Sequence, residues 1–105
     1  MHKVLLVEDN QIISSYLSTL ILDCHPNWLI HEAYSYTKAM SLADENDYDL
    51  LILDYELNQD NEKENGLLLG ITLKHQSKYR NIPIVFETSY PEHIFEAVNK
   101  LNCIY

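Results

Sequence analysis

The chain reads as an α/β fold built on a parallel sheet, one domain over residues 1–105. Two observations predict it. Short apolar runs (Val4-Leu5-Leu6-Val7, Leu50-Leu51-Ile52-Leu53, Ile84-Val85-Phe86) alternate with longer amphipathic stretches. Such alternation implies right-handed crossovers between parallel strands. The first of these runs is followed by Glu8 and Asp9, the second by Asp54. If the two runs are neighbouring strands, three carboxylates meet at the carboxyl edge of the sheet, where open α/β sheets bind ligands. Like charges gathered there repel one another unless a cation joins them, and a hard divalent ion with oxygen ligands suits the set.

Each element follows from local pattern. Residues 3–7 read as a buried strand. Residues 10–23 read as a helix with Ile12, Ile13, Tyr16, Leu17, Leu20 and Ile21 on its inward face, ended by Pro26. Residues 28–33 form a more mixed strand, suited to a sheet edge. Ser35 caps a helix that turns Ala39, Leu42 and Ala43 inward. Residues 50–53 are apolar throughout, as a parallel strand covered on both faces should be. The polar stretch 58–65 is a loop ending at Gly66. A third helix spans 67–79, a fourth strand 83–87, and Pro91 opens a fourth helix carrying Ile94, Val98 and Leu101 inward. Cys103-Ile104-Tyr105 starts a fifth strand. No repeat or second domain is visible.

Composition narrows the classes of function. Hydrophobic residues make up 47% and charged residues 22% of 105 residues, so the chain is globular. Its formal net charge is -9, with 7 Lys and Arg in all. Nucleic-acid affinity comes largely from cations facing phosphates, so this domain alone is a poor nucleic-acid binder. No run reaches membrane-spanning length and no signal segment opens the chain, which points to the cytoplasm and to no membrane partner. Cys24 and Cys103 belong to no CxxC pair and read as free, buried thiols of a reducing compartment. The five histidines show no ligand spacing and read as surface or helix-end residues.

Three segments together are more specific than any one. Val4-Leu5-Leu6-Val7-Glu8-Asp9-Asn10, Leu51-Ile52-Leu53-Asp54 and Ile84-Val85-Phe86-Glu87-Thr88-Ser89-Tyr90 resemble, in order, the receiver domain of bacterial two-component response regulators. The long polar loop before Gly66 and the Thr-Ser-Tyr-Pro-Glu segment are closest to receivers of LytTR-type regulators. The resemblance implies a flavodoxin-like (CheY-like) doubly wound sheet of order 2-1-3-4-5.

It also implies a chemistry. Asp54 would be the phosphoacceptor, attacking the phosphohistidine of a sensor histidine kinase. Mg²⁺ would be the cofactor, held by Asp9 and Asp54 directly, by Glu8 through water and by the backbone carbonyl of Glu56. Thr88 matches the hydroxyl that contacts the new phosphoryl group, and Tyr105 the aromatic that follows it in switching an output or dimerisation surface. Ser89 and Tyr90 would neighbour the phosphate, with Glu56 and Tyr90 flanking it; its removal needs an in-line water. The bulk of Tyr90 should slow that hydrolysis. The output would pass to a C-terminal effector domain absent from this chain.

Some features depart from the pattern. The lysine of the family would fall three residues beyond Tyr105, so it has no counterpart in the chain. The fifth strand is incomplete and the fifth helix is lacking, which would leave apolar surface bare near the first and third strands and invite self-association. The usual proline after Asp54 is missing, with Asn58 near its place, and Glu87 puts a charge in the fourth strand. Two other readings compete. A degenerate receiver would bind partners without phosphate; a change in tryptophan or tyrosine emission with Mg²⁺ and beryllofluoride would argue against it. A Toprim-like metal-dependent nucleic-acid enzyme would also use a Glu and an acidic pair such as Asp54-Tyr55-Glu56, but carries Gly where Asp9 stands.

Overall fold

The computed structural model describes residues 2–54 and 66–87. Four strands, β1 (Lys3–Val7), β2 (Leu29–Ala33), β3 (Leu50–Asp54) and β4 (Ile84–Glu87), form one parallel sheet in the order β2-β1-β3-β4. This is the flavodoxin-like order as far as the described strands run. The strand order reverses beside β1, so a crevice opens between the carboxyl ends of β1 and β3, where such sheets bind ligands. The loop 58–65, the fourth helix and the fifth strand expected from the sequence lie outside the described residues.

Three helices cross between the strands: α1 (Gln11–Cys24), α2 (Tyr36–Glu45) and α3 (Gly66–Lys74). None of the described helices is long and apolar enough to cross a membrane. Ser35 caps α2 as expected, its hydroxyl accepting from the Lys38 amide at 3.1 Å. Alternation within the strands sorts the sheet into two faces. Leu5, Val7, Leu51, Leu53, Ile84 and Phe86 pack with Ala39 and Ala43 of α2 and Leu67, Leu69 and Leu73 of α3 into one core. Val4 and Leu6 turn to the other face and are fully buried there, while Ile30, Ile52 and Val85 beside them are half-buried.

Four expectations need correction. The third helix does not run through residue 79. It ends at Lys74, and a 3-10 turn over Ser77–Tyr79 brings the Tyr79 ring inward. The phenol there donates to the carbonyls of Ala43 (2.8 Å) and Asn46 (2.6 Å), satisfying the open end of α2. The third strand is not covered equally on both faces: Leu51 and Leu53 are buried, but Leu50 and Ile52 only partly. Cys24, the last residue of α1, is exposed; Cys103 is outside the described residues. Finally, α1 starts at Gln11, and of its expected apolar stripe only Leu17 and Ile21 turn inward, beside Ser14 and Ser18. Ser14 is fully buried and Leu17, Ser18 and Ile21 half-buried, whereas Ile12 is 82% and Tyr16 64% exposed.

Among the described residues the histidines are peripheral, as the sequence suggests, except for His31. His31 on β2 is half-buried, and its Nδ1 lies 2.6 Å from the Tyr48 hydroxyl in the core. His25 stacks on Trp28 at 3.9 Å between ring centroids, and His2 meets the same indole edge-on.

Candidate metal centre

The acidic residues are placed by ordinary strand and helix chemistry. β1 ends at Val7, and the Glu8 amide still donates to the Ala33 carbonyl of β2 at 3.0 Å. The chain then turns. The Glu8 carboxylate accepts from the Asn10 amide at 3.1 Å, and Asn10 caps α1 by accepting from the amides of Ile12 (3.0 Å) and Ile13 (3.1 Å). The Glu8-Asp9 pair is thus held between the end of one strand and the start of one helix. Asp54 is the last residue of β3, which runs beside β1 with Val7 opposite Leu53.

The consequence is the convergence that the sequence predicts. Carboxylate oxygens of Glu8, Asp9 and Asp54 all lie within 4.8 Å of one another. Glu8 is buried at 4% exposure, Asp54 is half-buried and Asp9 is exposed, so the cluster grades from floor to mouth. Every donor in it is a carboxylate oxygen, which suits a hard cation such as Mg²⁺ and not a soft metal. The residues therefore fit the expected cofactor. Glu87 is the last residue of β4, in register with Asp54, so this position is a strand end and not a strand interior.

Of the other site residues, Glu56, Thr88, Ser89, Tyr90 and Tyr105 lie outside the described residues. Two contributors escaped the sequence reading. Asn10 is the helix cap and not the first helical residue; an Asn directly before an apolar-periodic run was the available signal. The other is Ser14, whose hydroxyl donates to a Glu32 carboxylate oxygen at 2.6 Å. That contact spans 18 residues, and nothing in local periodicity announces it. The emission test also changes in value. Trp28, the single tryptophan, precedes β2 and so lies at the amino edge of the sheet, five residues of strand (roughly 16 Å) from the carboxylates.

An open parallel sheet with three carboxylates in its switch-point crevice defines a class, the CheY-like α/β domain with an acidic centre. The family model described as "Response regulator receiver domain" matches residues 4–102, and the chain belongs to that family of two-component signalling domains. The chain is 38% identical over 56 residues to "Stress response regulator protein 1" of Lodderomyces elongisporus, a match that covers 53% of this chain and 16% of that protein. Among solved structures, the chemotaxis protein CheY4 of Vibrio cholerae superposes with a TM-score of 0.78 at 24% identity, covering 98% of this chain and 82% of that one. The response regulator TrrA of Thermotoga maritima, in complex with Mg(2+)-BeF, gives a TM-score of 0.79 at 22% identity, covering 93% and 79%. At these identities the structural likeness speaks for the fold.

Proposed function

We propose that the chain is a phosphoacceptor whose Asp54 takes a phosphoryl group from a sensor histidine kinase. The observation that carries this reading is the meeting of the Glu8, Asp9 and Asp54 carboxylates within 4.8 Å at the carboxyl edge of the sheet. In the transfer, an Asp54 carboxylate oxygen attacks phosphorus, the P–N bond of the phosphohistidine breaks, and the imidazole leaves with the electron pair. The transition state is loose, so the protein acts chiefly by position and charge. Asp9 and Asp54 would hold Mg²⁺ directly, Glu8 through water and Glu56 by its carbonyl. When bound, the ion supplies positive charge that offsets the carboxylates and the oxygens of the transferring group. Glu8 is buried and Asp54 half-buried, so the Asp54 carboxylate is the more accessible of the two to a donor.

The same reading gives Thr88 and Tyr105 the switching role, with Ser89 and Tyr90 beside the phosphate. Phosphorylation then favours one arrangement of the output surface because only that arrangement gains the Thr88 contact. The cytoplasm is the setting, and an effector domain receives the signal.

The experiment is direct. Incubation with acetyl phosphate and Mg²⁺, followed by intact mass, should show a gain of one phosphoryl mass. The gain should vanish in Asp54→Asn and on chelation of the metal. A gain that persists in Asp54→Asn would move the acceptor elsewhere. No gain in the parent chain would favour a binding module that works without phosphate. Tyr90→Ala should shorten the phosphoryl lifetime, and an unchanged lifetime would remove Tyr90 from hydrolysis control.

A further inference from the structure

The orientation of α1 is unusual for an amphipathic helix. Ile12 and Tyr16 face outward, Leu17 and Ile21 are only half-buried, and a serine is its one fully buried residue among those described. A helix packed by apolar burial alone would roll to hide Ile12 and Tyr16. A polar contact accounts for the roll. Ser14 Oγ donates to Glu32 Oε1 at 2.6 Å, a short charge-assisted bond beneath the helix. Glu32 lies on β2 opposite Leu6, and the next β2 residue, Ala33, receives the Glu8 amide. One strand therefore grips the acidic turn at both ends. The Glu8 amide is fixed to Ala33 before the turn, and Ser14 is fixed to Glu32 one helical turn after it. Between these anchors, the Asn10 amide donates to the Glu8 carboxylate and Asn10 Oδ1 accepts from the Ile12 and Ile13 amides, which brackets Asp9.

We propose that Glu32 and Ser14 are positioning residues for the cation site, setting the roll of α1 and through it the place of the Glu8-Asp9 turn. The proposal rests on the reading of the site as a Mg²⁺ centre. Neither residue is a ligand; both act through the turn. Losses of about tenfold in metal affinity are common when a partner that orients a ligand is removed.

Ser14→Ala is the informative variant, because it removes the bond and leaves the charge of the chain unchanged. Its Mg²⁺ dissociation constant should rise at least threefold, measured by calorimetry on the folded protein. Glu32→Gln keeps an acceptor oxygen and should retain most of the bond; Glu32→Ala should not. The combined Ser14→Ala, Glu32→Ala variant should lose less than the sum of the single losses. A change confined to stability, with Mg²⁺ affinity within twofold of the parent in Ser14→Ala, would overturn the proposal. A second readout needs no metal. Amide hydrogen exchange at Ile12 and Ile13, the capped amides, should quicken in Ser14→Ala and Glu32→Ala but not in Glu32→Gln. Unchanged exchange there would also overturn it. A parent chain that binds no Mg²⁺ but shows the exchange pattern would instead sink the metal reading and leave the clamp standing.

Discussion

The two faces of the sheet are built differently. On the side of α2 and α3, the strand residues Leu5, Val7, Leu51, Leu53, Ile84 and Phe86 are all buried against alanines and leucines, with Leu42, Ile71 and Ile82 partly buried around them. On the side of α1, Val4 and Leu6 are buried, but Ile30, Leu50, Ile52 and Val85 are only partly covered. The helix there turns serines inward and leaves Ile12, Ile13, Tyr16 and Leu20 in contact with solvent. The first face is where apolar burial stabilises the fold. The second face adds to its apolar contacts the Ser14–Glu32 bond close to the acidic crevice.

The difference can be broken by substitution. Leu53→Ala, on the tight face, should cost about 3 kcal/mol or more in denaturant unfolding. Ile52→Ala, its neighbour on the looser face, should cost roughly half as much or less, because partial exposure lets the site relax and lessens the transfer loss. Equal costs would erase the contrast between the faces.

A smaller effect comes from pH. Burial pushes the Tyr48 phenol up from 10.0 to about 12, with the neighbouring Tyr79 and Glu45 adding to the rise. The unfolded chain ionises this phenol first, so the associated stability is complete below pH 10 and is lost as pH rises towards 12. Tyr48→Phe should flatten this part of the stability curve, and a parent curve already flat between pH 10 and 12 would contradict the burial argument. Smaller again, Tyr79→Phe should cost about 1–2 kcal/mol, since two carbonyls at the end of α2 lose their donor. Lys78 would soften that loss, because its ammonium also reaches the Asp44 and Asn46 carbonyls at 3.1 and 3.0 Å. Smallest of all, Tyr16→Ser on the outer side of α1 should change stability by less than about 0.5 kcal/mol. A large loss would show that this side of α1 is covered in solution.

These contrasts also show which parts of the fold could be read from the sequence. Strands betray themselves by unbroken apolar runs, as at Val4–Val7 and Leu50–Leu53, and the carboxylates that follow such runs fall at one edge by geometry alone. Ser35 is legible for the same local reason. The roll of α1 was not legible, because periodicity counts apolar residues and cannot see a serine bonded to a glutamate 18 positions away. The end of α3 was hidden too. No glycine or proline marks it; the helix stops where Tyr79 is drawn in to cap another helix.

The central claim is that the Glu8, Asp9 and Asp54 carboxylates form one site for a divalent cation. A Mg²⁺ titration followed by amide chemical shifts tests it most directly. Shifts should concentrate at Glu8, Asp9, Asn10 and Asp54, follow a single saturable isotherm, and leave Trp28 and Leu29 at the opposite edge unmoved. Shifts that never saturate, or that spread equally over Asp44, Asp47 and the other surface carboxylates, would contradict it.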